Sequence, residues 1–277
     1  WYTDADTDAF NSSIDGDGYV IYGLYYKNTE NSDASVGLIP SLSSNGETVN
    51  IKNIGLESSY IETSGYAAAF VSKANWNNTL NITCCFVGER VTIKGNTASA
   101  FYSYGGSVAK IDGCYSLANI YGKTYGLVGD TWNGQISAKN TYILNSVITS
   151  KFENSIICEN VYSNDKTGAL SGVKVISPEN MKGLGALTAN EKMNGLKDCG
   201  FFKATLSYPV LKIFTVDDVL VTIEFDPCGG ELTETSVSKV AGAVYEQPIP
   251  TRAGYIFKAW YTDSKYTEIA NNIMPEN

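Results

Sequence analysis

Asp4, Asp6 and Asp8, with Asp15 downstream, set carboxylates at alternate positions near the start of the chain, the oxygen-donor density a hard cation such as calcium requires. The pattern departs from the helix-loop-helix calcium site, because Ala9 stands where the sharp turn needs glycine and a strand pattern follows instead of a helix. Calcium at Asp4, Asp6 and Asp8 is thus the one cofactor the spacing allows, and the expectation is that none is bound. The chain contains no histidine, which removes the commonest general base, nucleophile partner and zinc ligand together. Asp112 and Asp130 stand apart from other carboxylates and read as turn residues, so no pair is set for acid–base work on a glycosidic bond. Cys84, Cys85, Cys114, Cys158, Cys199 and Cys228 form no CxxC pair and read mostly as small buried thiols. No catalytic residue is assigned.

Recognition chemistry has better material. Trp76, Tyr102, Tyr104 and Trp132 lie in stretches between strand patterns, where the long connections of a stacked fold carry function, and their rings could stack on sugars. Packing back onto the protein wall is the commoner role for any one of them. These four are the candidate ligand-binding residues.

Such residues need a scaffold. The chain has 277 residues, with abundant Tyr, Ser, Thr, Asn and Gly and few Lys, Arg and Glu, a balance that favours strands over helices. Acidic residues number 29 against 20 basic ones, a net charge of −9 that repels nucleic acids and anionic membranes. No run approaches the roughly 18–20 apolar residues of a membrane helix, so no membrane insertion is expected in this segment. The opening Trp1-Tyr2-Thr3 lacks a signal-peptide pattern, and the expectation is that any secretion signal has already been removed.

An Ile-x-x-apolar signature recurs roughly every thirty residues, at Ile21-Tyr22-Gly23-Leu24, Ile51-Lys52-Asn53-Ile54, Ile82-Thr83-Cys84-Cys85 and Ile111-Asp112-Gly113-Cys114. Ile136 opens a fifth, degraded copy. A second mark keeps step: Gly37-Leu38-Ile39, Ala69-Phe70-Val71, Ala100-Phe101-Tyr102 and Gly126-Leu127-Val128. Short β-branched runs punctuated by Gly, Asn and Ser fill each copy, so the units are strands and turns that must stack to bury an apolar face. Stacking predicts an internal ladder of Ile21, Ile51, Ile82 and Ile111. Cys85 and Cys114 then take the slot of Leu24 and Ile54, as buried thiols rather than a disulfide, whose geometry is demanding.

Ile14-Asp15-Gly16-Asp17-Gly18-Tyr19-Val20-Ile21-Tyr22-Gly23-Leu24 resembles the opening of GLUG-type repeats, and Gly126-Leu127-Val128-Gly129 resembles their eponymous motif. The likeness extends over about residues 10–214, through Ser177-Pro178-Glu179-Asn180-Met181-Lys182 and Tyr208-Pro209-Val210-Leu211. Ala69-Phe70 and Ala100-Phe101 depart from the family's glycines. The resemblance implies a right-handed parallel β-helix (solenoid) over residues 1–214, of the kind found in secreted, adhesin-like surface proteins. Ser177 before Pro178, and Thr188 three residues before Glu191, are helix-start signals, and they predict two short helices near 177–196 capping the open end of the stack.

The texture changes near Thr215–Asp218. Val219–Phe225 reads as a strand running into the turn Asp226-Pro227-Cys228-Gly229-Gly230. Gly242 to Tyr261, with Pro248, Pro250, Arg252, Gly254, Tyr255, Phe257, Trp260 and Tyr261 in place, resembles the core of the Listeria-Bacteroides repeat, as in the internalin B-repeat. Cys228 and Ala259 depart from that pattern. The resemblance implies a small β-grasp-like α+β domain over 215–277, used as a spacer or adhesive module. The chain ends where that pattern would supply its last strand, so a fragment of a longer protein is expected. Tyr255, Phe257 and Trp260 are expected on one strand face, packed in the core.

The reading that follows is a mainly β, non-enzymatic, extracellular module of a bacterial cell-surface protein, adhesin-like in binding and display. Its partner would be an extracellular ligand, a glycan or a protein of a host or neighbouring cell. The alternatives are a carbohydrate-binding or carbohydrate-active β-helix and a purely structural spacer. Many β-helices cleave polysaccharides, but the Asn-Thr-Asp, Asp-Asp and Gly-His-Gly patterns of the pectinase type are absent.

Overall fold

The computed structural model describes residues 10–42, 46–74, 77–131, 134–144, 156–165, 171–215, 220–240, 245–272 and 274. The chain divides into two compact units, Trp1–Phe214 and Thr215–Asn277. Described secondary structure is mainly β, with short 3-10 turns and no α-helix.

Three parallel sheets build the first unit. The largest aligns Ile14–Tyr22, Thr48–Glu57, Thr79–Thr83 with Phe86–Val87, Val108–Asp112 with Tyr115–Ser116, Ile136–Ile143, Ile156–Ser163 and Val173–Val175. A four-stranded sheet aligns Tyr25–Asn28, Tyr60–Thr63, Thr92–Lys94 and Asn119–Tyr121. The third aligns Ser35–Val36 and Ile39–Leu42 with Tyr66–Ala68 and Val71–Ala74, then Thr97–Gly105 and Thr124–Thr131. Each strand thus pairs with its counterpart one repeat later, the arrangement by which units of this length bury their apolar sides.

Register decides which residues form the internal ladder. Ile51 pairs with Ile82, Ile82 with Ile111, Ile111 with Ala138 and Ala138 with Cys158. Ile14, not Ile21, completes the row by pairing with Ile51, while Ile21 pairs with Leu56. The expected row is displaced because strand Ile14–Tyr22 lies against Ile51–Glu57 with offsets of 37 and then 35 residues, so Ile21 falls beyond Ile51 on either side of the shift between Asp15 and Tyr19. Ile136 likewise stands opposite Ala109, so Ala138 holds the slot expected of it.

Local backbone chemistry explains the Ile-x-x-apolar spacing. The second x is Asn53, Cys84, Gly113, Asn140 or Asn160 in successive copies, and all five have left-handed φ of 46–60°. A left-handed residue bends the strand there and returns the next side chain to the interior, and Asn and Gly tolerate it best. The asparagines also link copies: Asn140 Nδ2 donates to Asp112 Oδ1 at 2.9 Å and Asn160 Nδ2 to Asn140 Oδ1 at 3.2 Å. Asn140→Ala is expected to cost about 1–2 kcal/mol, and Asn140→Gly less, as read from urea midpoints.

The Asp15-Gly16-Asp17-Gly18 stretch is not a separate turn but a bulge inside strand Ile14–Tyr22, where Asp17 and Gly18 take left-handed φ of 48° and 80°. Asp15 accepts from Asp17 N at 3.1 Å, from Asn53 Nδ2 at 3.0 Å and from Lys52 Nζ at 2.9 Å. The Lys52 bond foremost, then Asn53 and the Asp17 amide, lower its pKa from 3.8 to about 2. A lowered folded pKa means stability that is complete above the unfolded value and lost as pH falls through about 2. Asp15→Asn is expected to flatten the melting temperature between pH 4 and pH 2, measured beside the wild type.

Cys85 and Cys114 lie in the core, wholly buried, with Cys85 N donating to Cys114 Sγ at 3.4 Å, and all six cysteines are free. Burial raises the Cys114 thiol well above its ordinary pKa and lifts Cys84 and Cys158 to about 11. In a thiol titration of native protein, exposed Cys228 is expected to react first and Cys85 and Cys114 only on unfolding.

Residues 176–214 do not form the expected pair of helices. Asn180 N donates to Ser177 O at 3.0 Å and to its Oγ at 3.3 Å, so the capping bond forms, but the chain continues as turns with two 3-10 segments, Asn194–Leu196 and Lys212–Phe214, and a short antiparallel pair, Phe202–Lys203 with Val210–Leu211. The segment lies along the outside of the largest sheet. Phe86, Tyr115, Tyr142 and Tyr162 stand in register there, and Met181, Leu187, Met193, Leu196, Phe202 and Leu211 cover them. An unhindered aromatic row is a large apolar surface, so covering it outweighs the local helix preference.

In the second unit, Leu220–Glu224 pairs antiparallel with Ser236–Val240, and isolated bridges join Glu231 to Thr251 and Tyr261 to Ile269. Its core is Phe225, Tyr245 and Met274, with Trp260 against them and Trp260 Nε1 donating to Pro248 O at 2.8 Å. The expected α+β character is corrected, since no helix occurs among its described residues. Trp260 packs as expected, but Tyr255 is exposed and not in a strand, with Arg252 over its ring at 4.4 Å.

Candidate functional site

The four-stranded parallel sheet turns a polar, aromatic side outward. Tyr26, Ile61, Ile93 and Ile120 form its inner row, with Ile61, Ile93 and Ile120 buried. Strand alternation therefore sends out two other rows, Tyr25, Tyr60, Thr92 and Asn119, and Lys27, Glu62, Lys94 and Tyr121. Tyr25 and Tyr60 stack with centroids 5.7 Å apart and planes 21° from parallel.

Charged groups are tied to these rings. Tyr60 Oη donates to Glu62 Oε2 at 2.6 Å, and Lys27 Nζ lies 3.4 Å from the same oxygen. The tyrosine bond first, then Lys27 and Lys94, hold the Glu62 carboxyl below its ordinary pKa, outweighing its slight desolvation. Lys94 Nζ sits over Tyr60 at 5.4 Å and over Tyr121 at 5.9 Å, and its bond to Tyr60 raises its pKa. At the neighbouring corner Arg90 Nε meets Glu57 Oε2 at 3.4 Å. A shallow groove of about 480 Å³ opens there between Gly23, Leu24, Tyr25, Ser58, Tyr60 and Arg90.

Of the aromatic residues singled out from the sequence, Tyr102 and Tyr104 lie elsewhere. Trp76 and Trp132 fall outside the described residues, as do Asp4, Asp6 and Asp8. Tyr102 is a correction: it belongs to strand Thr97–Gly105 and is wholly buried, its hydroxyl donating to Ala74 O at 3.3 Å and accepting from Ser107 N at 3.4 Å. Burial lifts its pKa well above the ordinary tyrosine value, and no ligand can stack on it. Tyr104 is half-buried against Tyr66, centroids 4.1 Å apart. Among the described residues no group of three His, Cys, Asp or Glu could hold a metal. No described helix is long and apolar enough to cross a membrane.

In the second unit a cleft of about 960 Å³ is lined by Phe225, Tyr245, Phe257, Trp260, Tyr261 and Tyr266. Phe225 and Tyr245 are core residues, so one wall of this cleft is the unit's own core.

Residues 222–277 match the family model of the Listeria-Bacteroides repeat domain. That repeat thus covers most of the second unit, including Trp260 and the Phe225–Tyr245 core. No curated protein and no solved structure matches this chain.

Proposed function

We propose that the protein is a non-enzymatic extracellular module of a bacterial cell-surface protein, in which a right-handed β-solenoid of GLUG-like repeats displays a binding face and the Listeria-Bacteroides repeat joins it to other parts of the parent chain. The match over residues 222–277 carries this reading, because that repeat occurs in bacterial surface proteins. The stacked parallel sheets support the solenoid, and connections between parallel strands of one sheet are right-handed almost without exception. A stack of this type offers long rows of outward side chains at fixed spacing, which suits recognition of repetitive or extended partners. The absence of histidine, the commonest general base, supports binding without turnover.

The test is a binding assay with the fluorescently labelled full chain on bacterial cells, epithelial cells and matrix-coated plates, run beside a polysaccharide-cleavage screen. Saturable adherence without cleavage is the expected result. Cleavage of any polysaccharide would replace the reading with an enzyme, and absence of adherence would leave a spacer.

A further inference from the structure

Residues 176–214 run back along the stack from its last rung to its first. Ile176 N donates to Ser163 O at 2.9 Å on strand Ile156–Ser163, and Gly195 N donates to Tyr162 Oη at 2.9 Å. One rung earlier Tyr142 Oη donates to Pro209 O, and Phe202 lies 5.7 Å from the Tyr142 ring and 6.5 Å from that of Tyr115. Phe214 then meets Phe86 edge-on at 4.8 Å, and Ile213 reaches the first strand, where a Cβ on Gly18 would lie 2.7 Å from its carbonyl oxygen. The chain enters the unit at that same end, since Phe10 N donates to Ser41 O at 3.0 Å in the first copy. This strap is the covalent connection between the stack and everything downstream of Phe214.

We propose that the strap is a tension-released latch: a pull on the chain beyond Phe214 peels residues 176–214 from the sheet while the rungs stay stacked, and uncovers the row Phe86, Tyr115, Tyr142 and Tyr162. The latch goes beyond the display-module reading and rests on it only for the source of the pull, a chain held at a cell surface and loaded through its partner.

Two kinds of contact decide which part yields. Rungs are joined by parallel ladders in three sheets, so parting two of them breaks many backbone hydrogen bonds together. The strap's own strands, Phe202–Lys203 and Val210–Leu211, pair only with each other, and the strap meets the aromatic row through side chains. Its contacts with successive rungs follow one another from Phe214 inward. A load at that end therefore bears on Ile213 and Phe214 first and on each remaining contact in turn. Apolar contacts are strong only as a group, so a row of them broken singly yields before a ladder broken at once. The strap also covers what the stack cannot hide by itself: Tyr142 and Tyr162 are wholly buried, and Phe86 and Tyr115 nearly so. Peeling turns a closed surface into an exposed apolar stripe that the unloaded protein lacks.

The experiment pulls the full chain in optical tweezers, with handles fused at its two termini. The expected first change within residues 10–214 is a reversible step of about 13 nm, the length of residues 176–214 at roughly 3.4 Å per residue, ahead of any larger release. Phe202→Ala should raise the opening rate at a fixed load about tenfold or more, because it removes the ring packed against Tyr115 and Tyr142. Tyr142→Phe keeps the aromatic row and loses only the bond to Pro209, so it should raise the rate less, and it serves if the alanine variant fails to fold. Leu206→Ala, at a strap position 86% exposed, should leave the rate unchanged. The second unit gives a step of its own, about 21 nm for residues 215–277, which none of these substitutions should move. Release of the whole first unit in one step of about 70 nm, or a first step indifferent to both Phe202→Ala and Tyr142→Phe, would each overturn the latch. Adherence of the labelled chain to cells and matrix is measured without load, so the display-module reading and the latch fail separately.

Discussion

Tyr142→Ala is expected to lower the unfolding free energy by about 3–5 kcal/mol, the range for removing a large buried aromatic from a packed core. Tyr142 is wholly buried, stacked on Tyr115 with centroids 5.0 Å apart and planes 2° from parallel, with Phe202 at 5.7 Å. Its hydroxyl donates to Pro209 O, so it fastens residues 176–214 to the sheet by packing and by a hydrogen bond. Tyr142→Phe keeps the stack and removes only the bond, for an expected loss of about 1 kcal/mol. Urea unfolding gives both values. Hydrogen exchange localises the effect, with Gly195 and Lys212 amides expected to lose protection first in the alanine variant, since they bond to Tyr162 Oη and to Phe201 O. An alanine variant with wild-type stability would mean that the segment is not anchored through this ring.

Gly105→Ala is the second large effect, at about 3 kcal/mol or more. Gly105 has φ +141, and a Cβ there would lie 1.8 Å from Ala74 O and 2.6 Å from Tyr102 Oη. The carbonyl belongs to the neighbouring strand of the same sheet, so relief requires parting Thr97–Gly105 from Val71–Ala74. Gly23→Ala is the matched control: φ is +73 but nothing lies within 4 Å, so only the conformational penalty of about 1–2 kcal/mol applies. Equal losses in the two variants, compared by thermal or urea unfolding, would show that the clash with Ala74 does not operate.

The candidate face was legible in part. Tyr25-Tyr26-Lys27, Tyr60-Ile61-Glu62, Thr92-Ile93-Lys94 and Asn119-Ile120-Tyr121 sit at matching places in successive copies, with an apolar residue in the middle for all but one. Aligning the copies on that triplet would have placed the flanking residues outward. Attention to connections led instead to Tyr102, which a strand turns inward, because a tyrosine ahead of Ser103, Gly105 and Gly106 reads equally as a loop residue or as a strand residue with a hydroxyl to satisfy.

Sequence alone determined the β character, the thirty-residue repeat and the slots that must be apolar, because the rungs repeat similar local demands: an inward Ile, Ala or Cys, then two residues on a left-handed Asn or Gly in all but the Cys84 copy. It also marked residues 222–277, whose Pro, Gly and Trp spacing is dense enough to match a repeat family. Tertiary structure alone decided the rest. Which isoleucine of the first copy joined the ladder depended on the register of Ile14–Tyr22 against Thr48–Glu57, a property of two strands together. Whether 177–196 became helix was settled by the aromatic row of Phe86, Tyr115, Tyr142 and Tyr162, whose members are far apart in the chain and become one apolar surface only when the rungs stack.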